Sequence, residues 1–217
     1  MIIQSYNIRN DIHGIILQLP VPQHLDAYRL INIIDPKKDV DGLTDVNQKL
    51  LANGTPHFIP ATAKGVMSLL DFYSISVSGK KAVVFGRSRL VGGPLASLLK
   101  LKGADVSVCH RQTQNPRARS LAADIVFVAI GKPEYIDVSY IKPGAIVIDI
   151  GINSITGVKL EEEIAKRKII GDVDHASVKK VVQAISPVPG GVGPMTVLSL
   201  FDNLILSAEE TRRINTK

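Results

Sequence analysis

The chain has 217 residues, 45% of them hydrophobic and 21% charged, with 17 Gly and 12 Pro; this fits one large or two small folded domains and excludes collagen-like, low-complexity and disordered classes. Lysine and arginine number 26 against 20 acids, a formal charge of +6, and aromatics are only 5%, so scattered bases of this kind favour small phosphate or carboxylate ligands over nucleic acid. The longest apolar stretches, such as Ile125 to Ile130, fall short of the roughly 18 residues of a membrane span, and Met1 to Asp11 lacks a basic flank followed by an apolar run; a cytoplasmic location without a membrane partner is expected.

In chain order, the first strong pattern is a strand over Gly14 to Leu19, followed by helical segments at Leu25 to Ile34 and Val46 to Ala52. One strand cannot bury itself, so this half reads as incomplete. Thr62 to Tyr73 places Val66, Leu69, Leu70 and Tyr73 at helical spacing and is expected to bridge the two halves. From Lys80 to Ser186, short β-branched runs closed by Gly, Pro or polar residues alternate with helical stretches, the pattern of a parallel α/β sheet. The strands are expected at Ala82 to Phe85, Asp105 to Cys109, Ile125 to Ile130, Ala145 to Ile150, Ile169 to Ile170 and Val182 to Ser186. Most are apolar throughout, as helices on both faces require. Helices are expected at Val91 to Lys102 and at Leu160 to Lys168, the latter with Glu161, Glu162 and Glu163 in its first turn. The lone Cys109 suits strand packing in a reducing compartment. The five histidines show no metal-ligand spacing. A last helix, Met195 to Arg213, can fold back on the first half.

The densest local chemistry is Val83-Val84-Phe85-Gly86-Arg87-Ser88-Arg89-Leu90-Val91-Gly92-Gly93-Pro94, an apolar strand that turns through glycine into a helix. Such a turn aims unpaired helix N–H groups at a phosphate. It departs from G-x-G-x-x-G, with Ser88 and Val91 where the second and third glycines would stand, so a plain strand-to-helix turn is the alternative. The next strand ends in Cys109-His110-Arg111, where NAD-binding folds usually carry a carboxylate for the ribose hydroxyls. Arg87 and Arg111 can together receive a 2′-phosphate, which favours NADP over NAD, although each is also compatible with a solvated surface charge.

Four separated blocks resemble the bifunctional methylenetetrahydrofolate dehydrogenase/methenyltetrahydrofolate cyclohydrolases: Gly14-Ile15-Ile16-Leu17-Gln18-Leu19-Pro20-Val21-Pro22, Lys38-Asp39-Val40-Asp41-Gly42, Gly86-Arg87-Ser88 with Val91-Gly92, and Pro187-Val188-Pro189-Gly190-Gly191-Val192-Gly193-Pro194-Met195-Thr196. Asp149 to Asn153 and Gly171 to Asp174 echo the family in the same order. The resemblance implies an α/β fold: a Rossmann-like, mostly parallel NADP-binding domain over 74–194, an incomplete α/β folate-binding domain over 1–73, and a C-terminal helix, 195–217, packing back on that first domain. It also implies a folate substrate, NADP as cofactor and a homodimer. Gln18 is similar to the family's active-site glutamine and Asp41 to the carboxylate that holds the pterin, whose amino group and ring N–H can both donate to one carboxylate. Leu17 and Leu19 flank that glutamine. Pro189, Gly190, Gly191, Val192 and Gly193 resemble the folate-contacting loop, where glycine permits close backbone approach. By the same resemblance Gly86, Arg87 and Ser88 take the dinucleotide phosphates and Ile152 lies by the nicotinamide end. Without the other blocks, Asp41 reads as a turn residue before Gly42, and Gln18 as a strand-end surface amide.

The family carries an upstream Tyr-x-x-x-Lys motif whose lysine is the principal catalytic group. No tyrosine of this chain has a lysine four residues on, so the resemblance implies an N-terminally truncated member, with hydrolysis impaired more than hydride transfer. Two milder departures are Pro60-Ala61-Thr62-Ala63 for Pro-Cys-Thr-Pro, and Arg111 for a serine after Cys-His. The alternative expectations are an inactive NADP-binding module and an unrelated NADP oxidoreductase of the shikimate dehydrogenase type. The latter leaves Gln18 to Pro20, Lys38 to Gly42 and Pro187 to Thr196 unexplained.

Overall fold

Residues 81–85 are Lys-Ala-Val-Val-Phe, and all but the lysine are buried; a run with no polar face belongs in the middle of a sheet covered on both sides. In the structure, a computed structural model that describes residues 2–156 and 167–215, this run is β1 (Lys81–Phe85). It pairs in parallel with β2 (Asp105–Cys109) on one side and β3 (Ile125–Val128) on the other. β4 (Ile146–Asp149) and the short β7 (Ala184–Ile185) extend the sheet in the order β2-β1-β3-β4-β7. Cys109 is buried at the end of β2, and burial pushes its thiol pKa up, as a packing residue requires.

Helices cover the two faces. Ahead of the sheet come α1 (Ile2–Asn7), α2 (Ala27–Ile31), α3 (Asp45–Ala52) and α4 (Ala61–Phe72), and α5 (Gly92–Leu101) follows β1. Leu51 of α3, Val66 and Leu70 of α4, and Leu95 and Leu99 of α5 share one core with Val84 and Phe127. The other face buries Val83, Val126 and Val147 near α6 (Pro116–Leu121) and the short α7 (His175–Val178). The long last helix, α8 (Val192–Asn215), returns along α4. Gly65 makes this possible, since a Cβ there would lie 2.8 Å from the Met195 carbonyl carbon. Asn203 Nδ2 of α8 donates to Val40 O (2.8 Å) and Ile59 O (3.0 Å), and Ser207 Oγ donates to His13 O at 2.6 Å. These buried polar contacts fix the helix against the first half where apolar packing alone would let it slide.

Three expectations are corrected. Gly14 to Leu19 is not a strand: only Ile15 forms a bridge, to Asp39, with its N–H on Lys38 O at 2.7 Å. A short apolar run needs a neighbour along its whole length to become a ladder, and none is present here among the described residues. Ile169 and Ile170 do not join the parallel sheet; they sit in β6 (Arg167–Ile170), which pairs antiparallel with β5 (Asn153–Thr156) in a separate ribbon. Lys168, expected as a helix end, lies in β6, while the rest of the helix expected at 160–168 falls mainly outside the described residues. Among the described residues no helix is long and apolar enough to cross a membrane.

The turn after β1 depends on one glycine. Gly86 has φ +111°, and a Cβ there would drive into the Ala129 carbonyl. Gly86→Val is therefore expected to destabilise the fold by about 2 kcal/mol or more and to close the space beyond the strand. Urea unfolding followed by far-UV circular dichroism checks the first effect; an unchanged midpoint would contradict it.

Candidate functional site

From β1 the chain passes to β2 on one side, and β3 lies on the other. A crevice consequently opens at the carboxyl ends of β1 and β3, the place where open α/β sheets bind ligands. There the structure holds a cavity of about 450 Å³ whose lining includes Gly86, Arg87, Ser88, His110, Arg111 and Lys132, together with Ile130 and Tyr135. Its described lining residues include three full cations and no carboxylate. Four of the five residues expected to hold the cofactor thus come together. Ile152, the fifth, lies beyond β4 at 68% exposure and does not line this cavity.

Ser88 organises the loop. Its Oγ accepts from Val91 N (3.2 Å) and Gly92 N (3.4 Å), and its carbonyl accepts from Gly93 N (2.9 Å). The start of α5 is thereby capped from within, in place of a conventional N-cap. Gly92 lets the helix press against the turn, since a Cβ would meet the Gly86 carbonyl. Among the described residues the Arg87 and Ser88 N–H groups form no hydrogen bond. Free backbone donors beside two arginines are what a dinucleotide phosphate needs, so the loop fits that group.

Two buried carboxylates hold the opposite rim. Asp172 Oδ2 accepts from Ile130 N (2.7 Å) and Gly131 N (2.9 Å), and Oδ1 from Lys132 N (2.8 Å) and Asn153 Nδ2 (2.8 Å). Asp149 accepts from Gly151 N (2.9 Å), Asp172 N (3.0 Å) and Val173 N (3.0 Å). Burial pushes the Asp149 carboxyl above the usual carboxylate range, against the pull of those three donors. Each acid sits over a glycine: a Cβ on Gly151 would strike Asp172, and one on Gly171 would strike Asp149.

The folate-side residues lie on the first half. Asp39, 1% exposed, does the structural work of its turn by accepting from Leu43 N (3.1 Å), Thr44 N (2.8 Å) and Asn47 Nδ2 (2.8 Å). Gly42, at φ +71°, presses against Pro60. That leaves Asp41 free of the turn role: among the described residues its half-buried carboxylate has no hydrogen-bond or ionic partner. Burial, with the Asp39 charge added, pushes its pKa up to about 6. Gln18 is exposed, its Nε2 donating to Leu19 O at 3.1 Å, while Leu17 and Leu19 beside it are half-buried. In the glycine-rich loop Pro189 and Gly190 are exposed, Gly193 is half-buried, and Gly191 and Val192 are buried as the chain enters α8.

Neither Lys38 nor Lys64 presents a free amine. Lys38 Nζ donates to Tyr6 O (3.2 Å), Asn7 O (2.6 Å) and Arg9 O (2.6 Å), closing the end of α1. Lys64 Nζ donates to Asn203 Oδ1 (3.1 Å) and pairs with Asp202 at 3.3 Å. Among the described residues no group of three or more His, Cys, Asp and Glu side chains could hold a metal ion.

Sequence reasoning missed Lys132, Tyr135 and the paired roles of Asp149 and Asp172. The available signal was an acid beside glycine just after two apolar runs, Asp149-Ile150-Gly151 and Gly171-Asp172.

Comparison with known proteins adds a second line of support. Residues 60–212 match the sequence model of the tetrahydrofolate dehydrogenase/cyclohydrolase NAD(P)-binding domain, and residues 1–41 match that of the catalytic domain. The bifunctional protein FolD of Acetivibrio thermocellus is 45% identical over 208 residues, covering 96% of this chain and 70% of that protein. The crystal structure of the bifunctional FolD enzyme of Campylobacter jejuni superposes with a TM-score of 0.87 at 40% identity, over 96% of this chain and 71% of the other. That of the Trypanosoma brucei enzyme, complexed with NADP and an inhibitor, gives a TM-score of 0.90 at 35% identity, over 97% of this chain and 71% of the other.

Proposed function

This chain belongs to the tetrahydrofolate dehydrogenase/cyclohydrolase family, and we propose that it oxidises 5,10-methylenetetrahydrofolate with NADP and hydrolyses the methenyl product to 10-formyltetrahydrofolate. The observation that carries the reading is Asp41. A half-buried carboxylate without a partner, raised to about 6 by burial and a neighbouring acid, costs folding free energy and is worth keeping where a ligand supplies the missing donors. A pterin offers two such donors side by side.

When bound, the dinucleotide supplies the hydride acceptor. The protein's own part is placement. Gly86 and the free N–H groups of Arg87 and Ser88 take the phosphates, and Arg87 with Arg111 takes a 2′-phosphate. Ile152 borders the nicotinamide end. Gln18, between Leu17 and Leu19, orients the one-carbon bridge, and Pro189 to Gly193 gives backbone approach to the folate ring. Residues 1–73 with 195–217 form the folate side, and 74–194 the dinucleotide side. Hydride transfer asks mainly for this orientation, whereas hydrolysis also needs a proton relay. Since Lys38 and Lys64 are both engaged, we expect dehydrogenation to exceed hydrolysis in this chain. The assembly belonging to this reading is a homodimer, for which the outward apolar stripe of Val197, Leu198, Phe201 and Ile205 on α8 offers surface.

The test is reduction of NADP and of NAD by the protein, dependent on methylenetetrahydrofolate. The expected result is turnover with NADP and a weaker rate with NAD; Arg87→Ala narrows the difference by about 1 to 3 kcal/mol, roughly 5- to 150-fold. Dinucleotide binding with no turnover of either cofactor would make the chain a binding module.

A further inference from the structure

Arg89 follows the phosphate loop immediately, yet its side chain belongs to the other half of the molecule. Its Nη1 donates to Asp45 Oδ1 at 2.6 Å and its Nη2 to Leu43 O at 2.7 Å. The guanidinium also lies 4.7 Å from the centroid of the Tyr28 ring, and Tyr28 Oη donates to Asp45 Oδ2 at 2.6 Å. Three residues from two separate segments of the first half therefore grip one guanidinium. The partners are not incidental surface groups. The Leu43 and Thr44 N–H groups donate to Asp39, the acid whose turn presents Asp41, and Asp45 begins α3. On the other side, Arg89 is joined by one peptide bond to Ser88, which caps α5 and lines the cavity.

We propose that Arg89 is a positioning residue that couples the two ligand sites: its fork ties the Gly86–Ser88 loop to the Asp41–Asp45 segment, so that a ligand ordering one also orders the other. The inference rests on the reading of these two segments as dinucleotide and folate sites. Arginine suits the task because a planar guanidinium fixes two acceptors at once and stacks on a ring, geometry that a lysine ammonium cannot reproduce. A segment already held by the first ligand loses less freedom when the second arrives, so the coupling is positive, and linkage makes it reciprocal.

The experiment is hydrogen exchange of the whole chain, read by mass spectrometry with and without NADP, on the wild type, R89M and R89K. In the wild type NADP is expected to slow exchange at Gly86 to Gly93 and also, by about five-fold or more, at Leu43 and Thr44. R89M keeps the first protection and loses the second. R89K, with its charge but no fork, transfers less than half of it. Should R89M fail to fold, Asp45→Asn, which removes the ion pair and leaves the arginine, carries the same expectation. Wild-type protection confined to Gly86–Gly93, or undiminished transfer to Leu43 and Thr44 in the variants, would overturn the coupling. Absence of any protection at Gly86 to Gly93 would instead overturn the cofactor reading, and this inference with it.

Discussion

Asp172→Asn is expected to destabilise the protein by about 3 to 5 kcal/mol. The carboxylate, with no exposed surface, accepts four N–H donors, from Ile130, Gly131, Lys132 and the Asn153 side chain. An amide at the same place offers one oxygen and turns an NH₂ toward the remaining donors. Two or more buried N–H groups are then left unpaired, each at about 1 to 3 kcal/mol. For a chain of this length the midpoint of thermal unfolding should fall by about 10 °C. Because Ile130 and Lys132 also line the cavity, dinucleotide affinity should fall in the same variant. Urea and thermal melts with a cofactor titration check both effects; a loss below about 1 kcal/mol would mean the rim is held by other contacts.

Asp41→Asn should act in opposite directions on stability and on binding. The carboxyl of Asp41 is raised from 3.8 to about 6 in the folded protein. The folded state thus holds this proton more tightly than the unfolded chain. As pH rises between those values the unfolded chain is deprotonated first, folding stability falls, and the full cost is present above about pH 6. Asparagine does not titrate, so the variant should be more stable than wild type at pH 8 by about 1 to 3 kcal/mol and nearly equal to it at pH 4. Folate binding should meanwhile fall by about 10²-fold or more, since two charge-assisted hydrogen bonds are lost. In the wild type folate affinity should also decline as pH drops through about 6, and this decline should vanish in the variant. Unfolding curves at the two pH values and calorimetric titration of a folate analogue measure these effects. A less stable variant at pH 8 would show that Asp41 has a structural partner after all.

The sheet was legible because its strands are buried on both faces. Ala82 to Phe85 and Ile125 to Val128 are unbroken apolar runs, and such runs have few other destinations in a folded chain. α5 and α8 announced themselves by glycine and proline at their starts and apolar spacing beyond. Gly14 to Leu19 misled because a short apolar run shows which side chains are apolar, and not whether a neighbouring strand exists to complete the ladder. Ile169 and Ile170 misled for a related reason: two β-branched residues fit either a parallel sheet or a twisted ribbon, and pairing with Asn153 and Ser154 decides it. At the candidate site, Arg87 and Arg111, which line the cavity, were picked out by their charge and Asp41 by the family resemblance. Those that act on the backbone were not. Asp172 as a fourfold acceptor depends on a loop some forty residues away in sequence, so the acid beside glycine hints at a role without naming its partners, and Ser88 as the internal cap of α5, though local, depends on the path of the backbone rather than on residue type.

Calorimetric titration of NADP and of a folate analogue into wild type, Gly86→Val and Asp41→Asn tests most directly the claim that two neighbouring sites, one for each ligand, are built into this chain. A crossed pattern is expected. Gly86→Val, in which the new side chain meets the Ala129 carbonyl, loses NADP and keeps folate affinity within the range of any linkage between the sites. Asp41→Asn loses folate and keeps NADP. Folate affinity undiminished in Asp41→Asn, or NADP affinity undiminished in a folded Gly86→Val protein, would contradict it.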